Sequence, residues 1–242
     1  MSERLATIHE LLRTVSEADL VAARTALHTL AERVLAPDLY RATRRVGLRP
    51  CPGGFGQPEH FVDGERRRLR VDGDSIVVLH GVSERRAPLS TLARVAQFCG
   101  APLGPGDLPY EASSPSDPNG DLAVTPAAAS LIATVLSFGN DALELTRTRT
   151  WQAGPTIVEF WPEHFDLASR IGAVMIGVSP GDATTTPGGR RRPYLYVAPP
   201  TVPPEDDYWN EPYGAAIGFE EIRSLDHAVA FFVAGLENLD TV

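Results

Sequence analysis

Lysine is missing from this chain; all 22 basic residues are arginine. No Schiff base or lysine-anchored pyridoxal phosphate can form, and no P-loop lysine can meet a nucleotide phosphate. Ser-x-x-Lys and kinase-type lysine chemistry are excluded with them. Cysteine is scarce as well, with Cys51 and Cys99 alone and no Cys-x-x-Cys, so redox catalysis has no footing and two free thiols are expected. No apolar run approaches the roughly 18–20 residues that span a bilayer, and the start has no apolar signal core, so a cytoplasmic address without membrane insertion is expected. Net charge is −9, which argues against a general nucleic-acid binder despite Arg66-Arg67-Arg68 and Arg190-Arg191-Arg192.

What is present suits a folded α+β chain of 242 residues, with 43% apolar and 22% charged side chains. Helical spacing marks Leu5, Ile8, Leu12 and Val15, then Leu20, Ala23, Leu27, Leu30 and Val34, with Ala36-Pro37-Asp38 expected to end the second helix. Arg68–Val71 and Ser75–Leu79 read as a hairpin across Asp72-Gly73-Asp74, and Pro88–Cys99 as a helix stopped by Gly100. After Thr125-Pro126 a long helix should run to about Arg147. Strands are expected at Thr156–Trp161, Ala173–Val178, Pro193–Val197 and Ala215–Phe219, and a last helix at Ser224–Leu239. The fold expected is antiparallel sheet covered by helices, divided into residues 1–100 (a helical hairpin plus a small α+β unit), a Pro/Gly-rich connection at 101–124, and an α+β unit at 125–242 carrying the site.

Pro-Glu-His-Phe occurs at Pro58–Phe61 and again at Pro162–Phe165, an offset of 104 residues. The same offset lays helix 17–35 on 121–139 and strand 68–71 on 172–175, which makes two similar halves one reading and chance repetition the other. On the first reading the second half carries extra residues at Pro180–Arg192 and Ala198–Tyr213, where insertions on a rigid frame tend to hold function.

The motifs Trp-Pro-Glu-His-Phe-Asp-Leu-Ala at 161–168, Gly-Val-Ser-Pro-Gly-Asp at 177–182 and Pro-Tyr-Leu-Tyr-Val at 193–197, with Trp209-Asn210 beyond, resemble a group of uncharacterised proteins from high-GC bacteria. The resemblance implies no activity, cofactor or catalytic residue.

Two chemistries fit these motifs. Trp161, Tyr194, Tyr196, Tyr208, Trp209 and Asn210, with Tyr213 beside them, form a candidate rim for a small molecule, against the plainer reading of core and edge packing. His164 and Asp166, two apart, and Asp182 on the next turn are candidate ligands for a divalent metal, with Glu163 as proton acceptor. The plainer reading there is a histidine bonded to a carbonyl and an aspartate capping a turn. Both chemistries require His164 and Trp209 to border one cavity. Gly177-x-Ser179-x-Gly181 copies a nucleophile elbow, but Pro180 removes the N–H that would serve the oxyanion, and Gly53-Gly54-Phe55-Gly56 is no dinucleotide fingerprint. Small-molecule binding through the C-terminal half is the leading expectation. A metal-dependent enzyme and a protein-interaction module, including a homo-oligomer through the N-terminal helices, are the alternatives.

Overall fold

The structure, a computed structural model, describes residues 3–122, 124–182, 189–239 and 241. Part of the expected insertion at Pro180–Arg192 therefore lies outside the described residues. Helices α1 (Glu3–Thr14) and α2 (Glu17–Leu30) follow the apolar spacing, and the Ser16 side chain caps α2 by accepting the Asp19 N–H. The helix does not end at Pro37. It widens into a π turn over Ala31–Leu35 and continues as α3 (Ala36–Thr43). Pro37 has no N–H for the Arg33 carbonyl, and that carbonyl instead accepts the Gly104 N–H at 3.0 Å. The break expected from proline is thus relieved by a wider turn and an outside donor.

Strands β1 (Arg49–Cys51), β2 (Gly54–Gly56), β3 (His60–Val62), β4 (Glu65–Asp72), β5 (Ser75–His80) and β6 (Ser83–Pro88) form an antiparallel sheet in the order β1-β2-β4-β5-β6, with β3 also on β4. Gly73, at φ +65°, makes the β4–β5 turn that an L residue would resist. Strand β6 is polar and exposed over Ser83–Arg86 and was not expected from the sequence. Helix α4 (Leu92–Cys99) is capped by Thr91 and ends on left-handed Gly100.

Helix α5 (Pro126–Arg149) starts from a Thr125 cap with proline in its first turn. Strands β7 (Glu159–Trp161), β8 (Asp166–Ile171), β9 (Val174–Ser179), β10 (Tyr194–Ala198) and β11 (Ala215–Gly218) make a second antiparallel sheet in the order β11-β10-β9-β8-β7, and α6 (Leu225–Glu237) follows. An antiparallel bridge between Leu48 and Phe160 links the two sheets at their edges. Helix α5 touches both sheets, packs against α1 and α6, and comes so close to β9 that a Cβ on Gly139 would overlap Val178. One buried apolar cluster runs from Leu5 through Phe55, Phe138 and Phe160 to Leu236. The apolar face of α1 packs on α5. No described helix is long and apolar enough to cross a membrane.

The repeated tetrapeptide takes two shapes. At Pro58–Phe61 it enters β3, with His60 buried and Phe61 exposed; at Pro162–Phe165 it is a turn, with Phe165 buried at φ +56° and His164 exposed. The 104-residue offset also lays the middle of β4 on the β8–β9 turn at Gly172, where Gly supplies φ +59°. The two halves share a helix–meander–helix order, yet that offset does not superimpose their strands.

Candidate functional site

Four stretches of chain distant in sequence meet around the 162–165 turn. From α2 and the π turn come Arg24, His28 and Glu32, spaced i, i+4, i+8 on one stripe beside the apolar positions and all buried. Arg24 Nη2 donates to the His164 carbonyl at 3.3 Å, and its guanidinium lies 5.7 Å from the centre of the Phe165 ring. The His28 ring stands 5.5 Å from the same phenyl, and its Nε2 lies 3.4 Å from Glu32 Oε2 without hydrogen-bond geometry.

The 101–122 connection supplies the second stretch. Ser113 and Ser114 donate their backbone N–H groups to the two Glu32 oxygens, at 3.4 and 2.7 Å, and Arg33 donates in return to the Ala112 and Ser114 carbonyls. This clamp brings in Tyr110, whose buried hydroxyl has no hydrogen-bond partner among the described residues. Removing the carboxylate should release the segment. Glu32→Ala is expected to cost about 2–3 kcal/mol, since bonds to a charged acceptor are lost and two amides are left unpaired. Hydrogen exchange at Ser113 and Ser114 should accelerate; unchanged protection there would mean other contacts hold the loop.

The face of the second sheet turned away from α5 supplies the rest. Tyr196 crosses β9 above Gly177, where any Cβ would overlap its ring, and donates to Asp166 Oδ2 at 2.5 Å. Tyr194 donates to Asp182 Oδ2 at 2.8 Å, with the two tyrosine rings 6.1 Å apart. Ser179 Oγ accepts the Gly181 N–H at 3.1 Å and so completes a turn rather than standing ready as a nucleophile.

Burial governs the protonation of these groups. It pushes the Asp166 carboxyl up to about 6, against the opposing pull of the Tyr196 hydrogen bond and the nearby His164 charge. Burial, with the Arg24 charge added, drives His28 down to about 3, so its imidazole is neutral near pH 7. His164 moves the other way, raised chiefly by its Glu163 partner 3.3 Å away. Burial also lowers Arg24 and raises both tyrosines.

Only part of the expected rim is assembled. Trp161 pairs with Asp166 across β7 and β8 and is half-buried, on the same face as Tyr194 and Tyr196. Tyr208 and Trp209 belong to the opposite face. The Tyr208 hydroxyl donates to the Phe231 carbonyl of α6 at 2.7 Å, and Trp209 packs edge-on to Tyr208, 4.8 Å between centroids, in the core. Asn210 bonds both backbone groups of Ala216, at 3.0 and 2.9 Å, and so caps the free edge of β11. His164, with 69% of its side chain exposed beside Glu163, and Trp209, with 4% of the residue exposed, border no common cavity.

The metal expectation needs correcting too. Among the described residues no three His, Cys, Asp or Glu side chains are placed to hold an ion. Asp166 and Asp182 each take a tyrosine hydroxyl, and His164 turns to Glu163. Cys51 and Cys99 are free. Open grooves of about 410 and 610 Å³ lie on the first half, one between α5 and the Cys51–Gly53 and Asp72–Asp74 turns, the other beside the β5–β6 turn.

Set against models of protein families, curated proteins and solved structures, the chain matches none of them.

Proposed function

We propose that the protein binds a small molecule carrying at least one N–H or O–H group, in the seam between α2, the 162–165 turn and the Tyr194–Tyr196 face, with Asp166 as its anchor. One observation carries this reading. Asp166 is 8% exposed, Oδ2 is bonded to Tyr196, and Oδ1 has no hydrogen-bond partner among the described residues. A buried polar atom left unpaired costs about 1–3 kcal/mol, and a donor on a ligand would remove that cost. The unpaired Tyr110 hydroxyl and the unsatisfied His28 Nε2 support the same reading, and Trp161 beside Asp166 adds an aromatic wall.

A thermal-shift screen of small amines, amides and polyols tests it. Compounds that raise the melting temperature of the wild type should lose that effect in Asp166→Asn and keep it in Tyr208→Phe. Compounds that act equally on both variants would place the site elsewhere.

Asp166 also gives a pH expectation. Its folded carboxyl is raised from 3.8 to about 6, so the native state holds this proton more tightly than the unfolded chain does. Stability should therefore fall as pH rises from about 4 to about 6, by at most roughly 3 kcal/mol for two units of pH. Asp166→Asn should flatten that part of the stability profile in urea titrations. A wild-type profile equally flat there would show that Asp166 is solvated.

A further inference from the structure

We propose that a second copy of this chain adds to the free edge of the first sheet, β6 pairing antiparallel with the partner's β6 about a two-fold axis at Arg85. The first sheet ends at β6, and Ser83, Glu84, Arg85 and Arg86 are all exposed. The register on β5 decides which backbone groups remain available. His80 and Ser83 close a two-residue turn, and hydrogen-bonded pairs then alternate through Val78 with Arg85 and Ile76 with Ala87. The Leu89 N–H donating to the Asp74 carbonyl at 2.8 Å fixes the same alternation one step further on. Glu84 and Arg86 therefore point their N–H and C=O groups outward, and Pro88 has no N–H to offer.

Those two outward residues carry opposite charges. In an antiparallel pair centred on Arg85, Glu84 stands opposite the partner's Arg86, and Arg86 opposite the partner's Glu84. A shift of two residues would set Glu84 against the partner's Glu84, so the charges select one register. The charged face is already patterned within the chain, with Glu84 3.6 Å from Arg70 and Arg86 paired to Asp72. Pairing would extend that alternation across the axis. Arg85 stands opposite the partner's Arg85 at the axis, with its charge drawn back onto its own chain. Its guanidinium leans onto α4, donating to the Phe98 carbonyl at 3.3 Å and lying 5.0 Å from the Phe98 ring centre. Val82 supplies an independent observation. It is 98% exposed at the β5–β6 turn, and the same register sets it opposite the partner's Pro88. The interface is isologous and small, with four backbone hydrogen bonds expected from about two outward residues on each strand, which suits a weak dimer.

Sedimentation equilibrium on the full chain, up to millimolar concentration, tests the proposal, with circular dichroism to verify folding. The wild-type mass should climb from 26.1 kDa towards twice that value. Glu84→Arg should weaken association by about tenfold, since both cross-axis ion pairs become repulsive. Adding Arg86→Glu to Glu84→Arg should restore it, because the exchanged charges are again complementary. Arg86→Pro removes an N–H that β5 does not use and should also leave a monomer. A wild type that stays at the mass of one chain overturns the proposal. So does a dimer untouched by Glu84→Arg, or a folded double variant that fails to recover.

Discussion

Arg67→Ala should destabilise the chain by about 3–5 kcal/mol in urea titrations, the range for removing one partner of a buried ion pair. Asp38 on α3 is the reason. It is buried, and Arg67 meets it with two bonds, Nε at 3.0 Å and Nη2 at 2.9 Å, while also donating to the Cys99 carbonyl. Gln57 adds a bond to Asp38 at 3.0 Å and one to the Leu35 carbonyl at 2.8 Å. Without the guanidinium, a carboxylate is left among apolar neighbours with Gln57 and the outlying Arg41 as its remaining donors. Joint replacement of Asp38 and Arg67 by leucine and methionine should cost far less than the single change, because no uncompensated charge stays behind. Equal losses in the single and joint variants would show that packing, not charge, is what Arg67 contributes.

Phe160→Ala should cost a similar amount, about 3–5 kcal/mol. Its ring stacks on Phe55 at 4.6 Å and meets Phe165 edge-on at 5.1 Å, and its backbone exchanges two hydrogen bonds with Leu48. It therefore sits where the two sheets join. The informative quantity is the shape of the transition as well as its midpoint. Both halves should lose stability together in one cooperative step, since one apolar cluster spans them. A transition that splits in two, with one part unmoved, would mean that each sheet folds on its own.

Much of this frame was legible from residue order. Thr125-Pro126 announced α5, Gly100 stopped α4, and Asp72-Gly73-Asp74 turned β4 into β5. These signals are local, and local chemistry decides them. Strand β6 was not legible, since Ser-Glu-Arg-Arg-Ala-Pro has neither alternation nor β-branched side chains and is held by pairing with β5 alone. Strand β8 was not legible either, because Asp-Leu-Ala-Ser-Arg-Ile has no apolar–polar alternation and is buried on both faces except at Arg170. The shared face of Tyr194 and Tyr196 followed from strand period, but their hydroxyls bond the very aspartates assigned to metal. Arg24, His28 and Glu32 belong to no motif that the sequence displays. Their i, i+4, i+8 spacing directly beside Ala23, Leu27 and Ala31 was the available signal, since a polar stripe touching an apolar one is half inside the core. Tyr208, Trp209 and Asn210 could not be apportioned to a face, because a proline-rich loop has no period to count.

The π turn at Ala31–Leu35 also changes how the helix that contains it divides its labour. An extra residue in one turn rotates everything downstream by about 100° relative to an unbroken α-helix. Upstream of that offset the rod presents Arg24 and His28 to the 162–165 turn; within it Glu32 meets the 101–122 connection, and downstream it presents Asp38 to Arg67 and Gln57 of the first sheet. A single cylinder thus works like a crankshaft with two pins set at different angles, and excising one residue from the bulge would turn one pin out of its bearing while the other stayed seated.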